Sequence, residues 1–372
     1  MFFNRIKQSV VCVVLTLSVV GCSKAPDPQN DIPLFKAFIA ENIDKMSDDP
    51  YISSTVKPGD KMYEFLVSLQ HGSGGGTFLE PLLANNDPEA MLWEGRLSLP
   101  VMRLRGEAYR LIHEAMIAGN PYAALELSEG SESCTYYFGK NSTGNQLAEM
   151  AGLSTSSDSD ICAKENFAKA VEGFEKLAKQ GDLRAQYFLL KQKEWDKSEE
   201  TRADYIREII RFSEAHYYQP LMDYVETILY YSKEAQKDVS NTQEQYDLAV
   251  QLLTIASNNS YIPAIESLIN VDSKLVKDAP LYMSLLKLGS PEYYASRFYT
   301  FENEYSEGEK ICFAFAYEKV TGDSKFFIWL NDESQKLRHQ GVLEEGSECS
   351  FKKTAAMVYI DEFTAREHWR DR

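Results

Sequence analysis

Apolar side chains return along most of this chain at intervals of three and four residues, the period of one face of an α-helix. Phe167, Val171, Phe174 and Leu177 share such a face, and after a short break Ala185, Tyr187 and Leu190 form another. No segment sustains the every-other-residue alternation of a half-buried strand. The pattern predicts an all-α protein.

The breaks between these helices have a chemistry of their own. Asn86-Asp87-Pro88-Glu89-Ala90, Gly119-Asn120-Pro121-Tyr122-Ala123, Gly181-Asp182-Leu183-Arg184-Ala185 and Gly289-Ser290-Pro291-Glu292-Tyr293 each begin with a residue tolerant of left-handed backbone. A side chain that accepts hydrogen bonds from free amides comes next, and often a proline suited to the first helical turn. Weaker copies start at Tyr217, Ser260 and Gly322. The seven corners begin at 86, 119, 181, 217, 260, 289 and 322, so most steps are 29–43 residues, about one antiparallel helix pair. The one long step, 62 residues, contains the Gly-, Ser-, Asn- and Asp-rich stretch 128–162 and reads as an insertion. Helix pairs at this period stack, each burying its apolar face on its neighbours. The expected architecture is a right-handed α-solenoid of helix-turn-helix repeats over 78–340. Residues 32–77 are expected to form two capping helices, carrying Phe35, Phe38, Ile39 and Ile43, then Met62, Phe65, Leu66 and Leu69. A C-terminal cap over 341–372 includes a helix from Lys352 to Arg366.

The first residues read differently. Arg5 and Lys7, the apolar run 10–20, and Val19-Val20-Gly21-Cys22 resemble a bacterial lipoprotein signal, with 1–21 removed and Cys22 carrying the lipid. That run is too short to span a bilayer, which takes about 20 residues. Ser23 is not the Asp that favours inner-membrane retention in the lipoproteins this resembles, so an outer-membrane anchor facing the periplasm is expected. Residues 22–31, with Pro26 and Pro28, form a polar tether.

Charge and cysteines narrow the picture. The net charge of −17 becomes −19 once Arg5 and Lys7 leave with the signal, which disfavours nucleic acid and anionic lipid as partners and favours a basic protein. Beyond Cys12 and Cys22 remain Cys134, Cys162, Cys312 and Cys349, an even set that suits disulfides in an oxidising compartment. Three pairings are formally possible. The closest in sequence are Cys134 with Cys162, at the two ends of the insertion, and Cys312 with Cys349 at the C-terminal cap. The first would staple the base of the loop, worth about 3 kcal/mol in the chain-entropy picture.

Glu175-Lys176-Leu177-Ala178-Lys179-Gln180-Gly181-Asp182-Leu183-Arg184-Ala185-Gln186-Tyr187 resembles the signature of Sel-one-like repeats, relatives of tetratricopeptide repeats, and Ala256 with Ser260-Tyr261-Ile262-Pro263-Ala264 is a second copy. The resemblance covers about 80–340 and implies a helical scaffold that binds proteins. Lipoproteins with these repeats resemble immunity proteins that protect the periplasm from type VI secretion effectors, phospholipase toxins in particular. A periplasmic scaffold or adaptor for envelope complexes is the alternative the same features allow.

Catalytic and metal chemistry is not legible. Gly72-Ser73-Gly74-Gly75-Gly76 lacks the Lys-Ser/Thr ending of a phosphate loop and reads as a hinge. Glu199-Glu200 and Glu344-Glu345 are sequence neighbours whose side chains diverge on a helix. His71, His113, His216, His339 and His368 stand singly, without the spacing of a metal site. No enzyme, cofactor or metal is expected. Among 22 tyrosines, the doublets Tyr136-Tyr137, Tyr217-Tyr218, Tyr230-Tyr231 and Tyr293-Tyr294 cannot place both rings on one side of a helix. Tyr217, Tyr218, Tyr230 and Tyr231 are therefore the expected anchors for a protein partner.

Overall fold

The computed structural model describes residues 26–72, 74–139, 142–152, 161–229, 242–271, 279–299, 307–330 and 354–363. These residues are all-α, with sixteen α-helices, and their only β-type pairing is the isolated bridge between Ser128 and Ala163. Helix α1 is Ile32–Asn42, α2 Tyr63–Gln70, α3 Gly76–Leu83, α4 Pro88–Ser98, α5 Arg105–Ile117 and α6 Pro121–Glu126. There follow α7 Thr143–Met150, α8 Lys164–Lys179, α9 Leu183–Gln192, α10 Glu199–Glu214 and α11 Gln219–Leu229. The last are α12 Gln243–Asn258, α13 Ile262–Val271, α14 Ala279–Lys287, α15 Glu292–Tyr299 and α16 Glu307–Thr321.

The corners form as their sequences require. Asp87, Asn120 and Asp182 each turn a carboxylate or amide oxygen onto the first free amides of the helix that follows, accepting from Ala90, Ala123 and Ala185 among others. The preceding helix is closed by one residue of left-handed backbone: Asn86, Gly119, Gly181, His216, Ser260 or Gly289. In all six the next amide donates to the carbonyl five residues back, as in Asp182 to Leu177, Tyr217 to Phe212 and Tyr261 to Ala256. His216 and Ser260 thus do the work of glycine at the two degenerate corners, at φ 58° and 64°. The Gly322 corner leads into a short 3-10 turn, Lys325–Trp329.

Packing follows chain order, with α4 on α5, α6 on α8, α8 on α9, α11 on α12 and α12 on α13. One apolar cluster runs from Tyr187 to Leu288 and a second from Met91 to Phe188, so the hairpins share their cores with sequence neighbours. Burying Trp93, Phe174, Phe212 and Tyr224 contributes about 1.5–3 kcal/mol for each side chain.

Two segments expected within the caps, α1 and 354–363, are built differently. Helix α1 packs on α10 and α12 in the middle of the molecule, with Phe35 and Phe38 in the large cluster and Phe35 against Tyr224. The fixing contact is electrostatic: Arg202 grips fully buried Asp31 through Nε and a terminal nitrogen at 2.7–3.1 Å, and Tyr224 donates to the same carboxylate. The helix expected over Lys352–Arg366 is corrected where it can be seen, because 354–361 has no regular structure and 362–363 is a turn, without helical hydrogen bonding. Its carbonyls and amides are taken by side chains from 54–70, which compete successfully with a helix for the same groups.

Candidate functional site: a groove filled by residues 354–363

The extended segment passes five corners in reverse chain order. Met357 N–H donates to the Leu288 carbonyl at 3.1 Å, and a Cβ on Gly289 would stand 2.3 Å from the Ala355 carbonyl oxygen. Gly289 therefore serves both a φ of 78° and the close approach of this segment. Asp361 lies close enough to Tyr261 to raise its hydroxyl pKa, second only to burial, and accepts from Tyr217 Oη at 3.3 Å. Arg184 donates to Glu362 at 2.7 Å. Phe363 completes the series, stacked on Phe188 and packed against Tyr122 and Phe174.

The opposite wall comes from residues 54–70. Tyr63 Oη donates to the Ala356 carbonyl at 2.8 Å, and Gln70 donates to Met357 while accepting from the amide of Tyr359, both at 2.9 Å. Thr55 gives its amide to Val358 and its hydroxyl to Ile360, and Ser54 accepts from Val358 N–H. These bonds address the backbone of an extended chain and would hold many sequences. Sequence is read by side chains: Met357, Val358 and Ile360 are buried in the apolar clusters of the two walls, and Asp361, Glu362 and Phe363 meet the corners.

The electrostatics there follow from enclosure. Burial raises the Glu362 carboxyl above the usual carboxylate range against the pull of Arg184, while the charge of Glu362 holds the Arg184 guanidinium firmly protonated against its own burial. At Asp182 burial is outweighed by the charge and hydrogen bond of Arg184 and by the amides it caps, so its pKa falls. Burial pushes the hydroxyl of Tyr122 far above its usual value, and that oxygen has no hydrogen-bond partner among the described residues. Beside Arg184 a cleft of about 230 Å³ opens, lined by Ser54, Thr55, Asp182, Arg184, His216 and Tyr217.

The tyrosines expected to anchor a partner are placed differently. Tyr218 is 2% exposed, its ring against Tyr261, and Tyr217 is half-buried between Tyr187 and Phe212 with its hydroxyl on Asp361. Both belong to packing, a correction with a simple cause: the doublet sits in the corner between α10 and α11, where each ring enters a neighbouring layer. Tyr230 and Tyr231 lie outside the described residues, as does Cys22. Cys134 and Cys162 are bonded, and the bridge from Ser128 to Ala163 ties the same loop base. Cys312 is disulfide-bonded, while its expected partner Cys349 lies outside the described residues.

The exposed apolar side chains concentrate elsewhere. Val101, Met102 and Leu104 before α5, Tyr136 in the π-helical turn Cys134–Phe138, and Leu147 and Met150 on α7 are all exposed, Met150 at 84%. Arg105 joins these segments, its guanidinium over the Tyr137 ring and beside Gly144. The signal was present in the sequence as Val101-Met102-Arg103-Leu104, but periodicity alone gives no exposure to a short run outside a helix.

Among the described residues no group of three or more His, Cys, Asp or Glu is placed to hold a metal ion, and no helix is long and apolar enough to cross a membrane. In comparisons with known proteins, no family model, no curated protein and no solved structure matches this chain.

Proposed function

We propose that this chain is a protein-binding lipoprotein that neutralises a secreted toxin by occluding it, as the type VI immunity proteins that its repeats resemble do. The observation that supports the binding part is the segment 354–363, which crosses five helix corners while side chains and backbone of 54–70 and the Leu288 carbonyl hydrogen-bond its backbone. A fold that fixes so many donors and acceptors along one line is suited to polypeptide recognition. Stacking the hairpins in a right-handed superhelix would extend that line into a long surface. The face formed by Met102, Leu104, Tyr136, Leu147 and Met150 supplies apolar area beside the disulfide-stapled loop, and takes over from Tyr217 and Tyr218 as the place to mutate first.

Charge and location fit the same reading. The charge of −19 left after removal of 1–21 speeds encounter with a basic partner, and a lipid on Cys22 would hold the protein at the periplasmic side of the outer membrane, in the path of an incoming toxin. The reading needs no catalysis and no cofactor. Its test is periplasmic co-expression with the toxin encoded beside this gene, scoring survival and complex formation by pull-down. Survival with a stoichiometric complex is the expected outcome; absence of protection, or protection without a complex, overturns direct occlusion. Replacing Cys22→Ala should abolish palmitate labelling and outer-membrane fractionation, and retention of both would remove the anchor.

A further inference from the structure

We infer that residues 354–363 are an exchangeable internal ligand: they fill a peptide-recognition groove whose external occupant is an extended segment of a partner protein, apolar first, then acidic, then aromatic. The inference rests on the protein-binding reading above and adds the chemistry of what is bound. Three observations carry it. First, the bonds to the backbone of 356–360 come from Ser54, Thr55, Tyr63, Gln70 and the Leu288 carbonyl, which hold an extended chain in one register through its backbone. Second, the clusters 187–288 and 91–188 take only Met357 and the flanking Phe363 and Tyr359 from this segment, so the corner wall of the groove has a core of its own, while Val358 and Ile360 enter the apolar cluster of Met62, Phe65, Leu66 and Trp93 on the opposite wall and make that wall select apolar side chains.

The third observation is what the segment buries. Asp361 and Glu362 are almost fully enclosed, and Glu362 meets an Arg184 already engaged by Asp182 at 3.0 Å. An enclosed ion pair is a poor source of stability compared with apolar residues of the same size, because desolvation consumes most of its attraction. Such a pair is a good source of specificity, since any occupant without the acid leaves Arg184 in the groove with one carboxylate fewer. With the aromatic slot of Tyr122, Phe174 and Phe188 next to it, the groove requires an acidic side chain followed directly by a ring. The protein as a whole is acidic and repels such a segment, so recognition depends on this local arrangement.

The test uses the full chain and a fluorescein-labelled synthetic peptide of sequence 354–363. In wild type the groove is filled, and the peptide should bind weakly. In the full chain carrying Glu362→Ala and Phe363→Ala, whose substitutions lie on the internal ligand and leave the groove walls intact, it should bind at least tenfold more tightly by fluorescence anisotropy. Adding Arg184→Gln to that variant should return binding to the wild-type level, and a peptide with Ser at 361–363 should not bind. A doubly substituted chain that keeps its helical circular dichroism but binds no better than wild type overturns the inference and makes the segment a permanent strut. If that chain does not fold, hydrogen exchange on the wild type decides. The amides of Met357, Val358 and Tyr359 should exchange at least tenfold faster than those in the middle of α12, and equal protection overturns exchangeability. A concentration-dependent wild-type dimer by light scattering would make a second copy the occupant and overturn the assignment to a partner protein. Toxin neutralisation is scored separately, so protection without peptide exchange refutes this inference alone.

Discussion

Two buried arginine–carboxylate pairs each tie a crossing segment to the helical hairpins, and they are built differently. Arg202 meets Asp31 in two-pronged geometry, Tyr224 supplies a third donor, and the carboxylate is fully out of contact with solvent. Arg184 meets Glu362 through one nitrogen, shares its charge with Asp182, and borders an open cleft. The first pair has both carboxylate oxygens hydrogen-bonded and holds a helix that contributes Phe35 and Phe38 to the core. The second holds a segment without regular structure. Satisfied geometry makes a fixed joint, whereas a shared partner at a cleft makes a readable one.

The largest effect that tests this contrast is Asp31→Ala. It strands the Arg202 guanidinium beneath α1 and should cost about 3–5 kcal/mol in urea unfolding. Arg184→Gln in the wild-type background should cost clearly less, because Glu362 accepts a proton when its partner leaves. Equal losses would erase the distinction between the two joints.

Next in size is Gly289→Ala. The new Cβ meets the Ala355 carbonyl at 2.3 Å, and the backbone φ of 78° is strained for alanine. A loss of about 1–3 kcal/mol is expected, together with faster hydrogen exchange of 357–359 and unchanged exchange in α1. Matching exchange increases in both segments would show that they are not independent.

The smallest effect separates the two regions by pH. Glu266 of α13, next to Ser290 in the same corner that receives Met357, has a carboxyl raised from 4.5 to about 7 by burial and then by the nearby Glu292. A carboxyl whose folded pKa is raised contributes stability that is complete below its unfolded value and lost as pH climbs through the folded one. The melting temperature should therefore decline between pH 5 and pH 8, and Glu266→Gln should flatten that decline by a few degrees, on the scale expected for about 1 kcal/mol. A variant that retains the wild-type slope would assign the pH dependence to other groups. Glu362, also raised by burial, acts in the same direction and sharpens the contrast with the Asp31 joint.

Much of the fold is legible in the sequence. Proline, a capping side chain and a left-handed residue in sequence placed the corners at Asn86, Gly119, Gly181 and Gly289, because these choices are made by backbone geometry within a few residues. His216 and Ser260 were harder to foresee in the left-handed role, since side chains tolerate it only where neighbouring packing holds them there. The site was almost illegible. Tyr217 and Tyr218 gave the same doublet signal as any exposed pair, and only the neighbouring layers turned both inward.

The sequence by itself determined the helices, their caps, their spacing and the loop that Cys134 and Cys162 close, all interactions of residues near one another along the chain or of one local period. Tertiary structure alone decided where 26–42 and 354–363 go. The run Ala355-Ala356-Met357-Val358-Tyr359-Ile360 suits a helix or a strand equally well by composition. Its extended form was chosen by Gln70, Tyr63, Thr55 and Arg184, which lie between 178 and 305 residues away in the chain and become neighbours only once the hairpins have stacked.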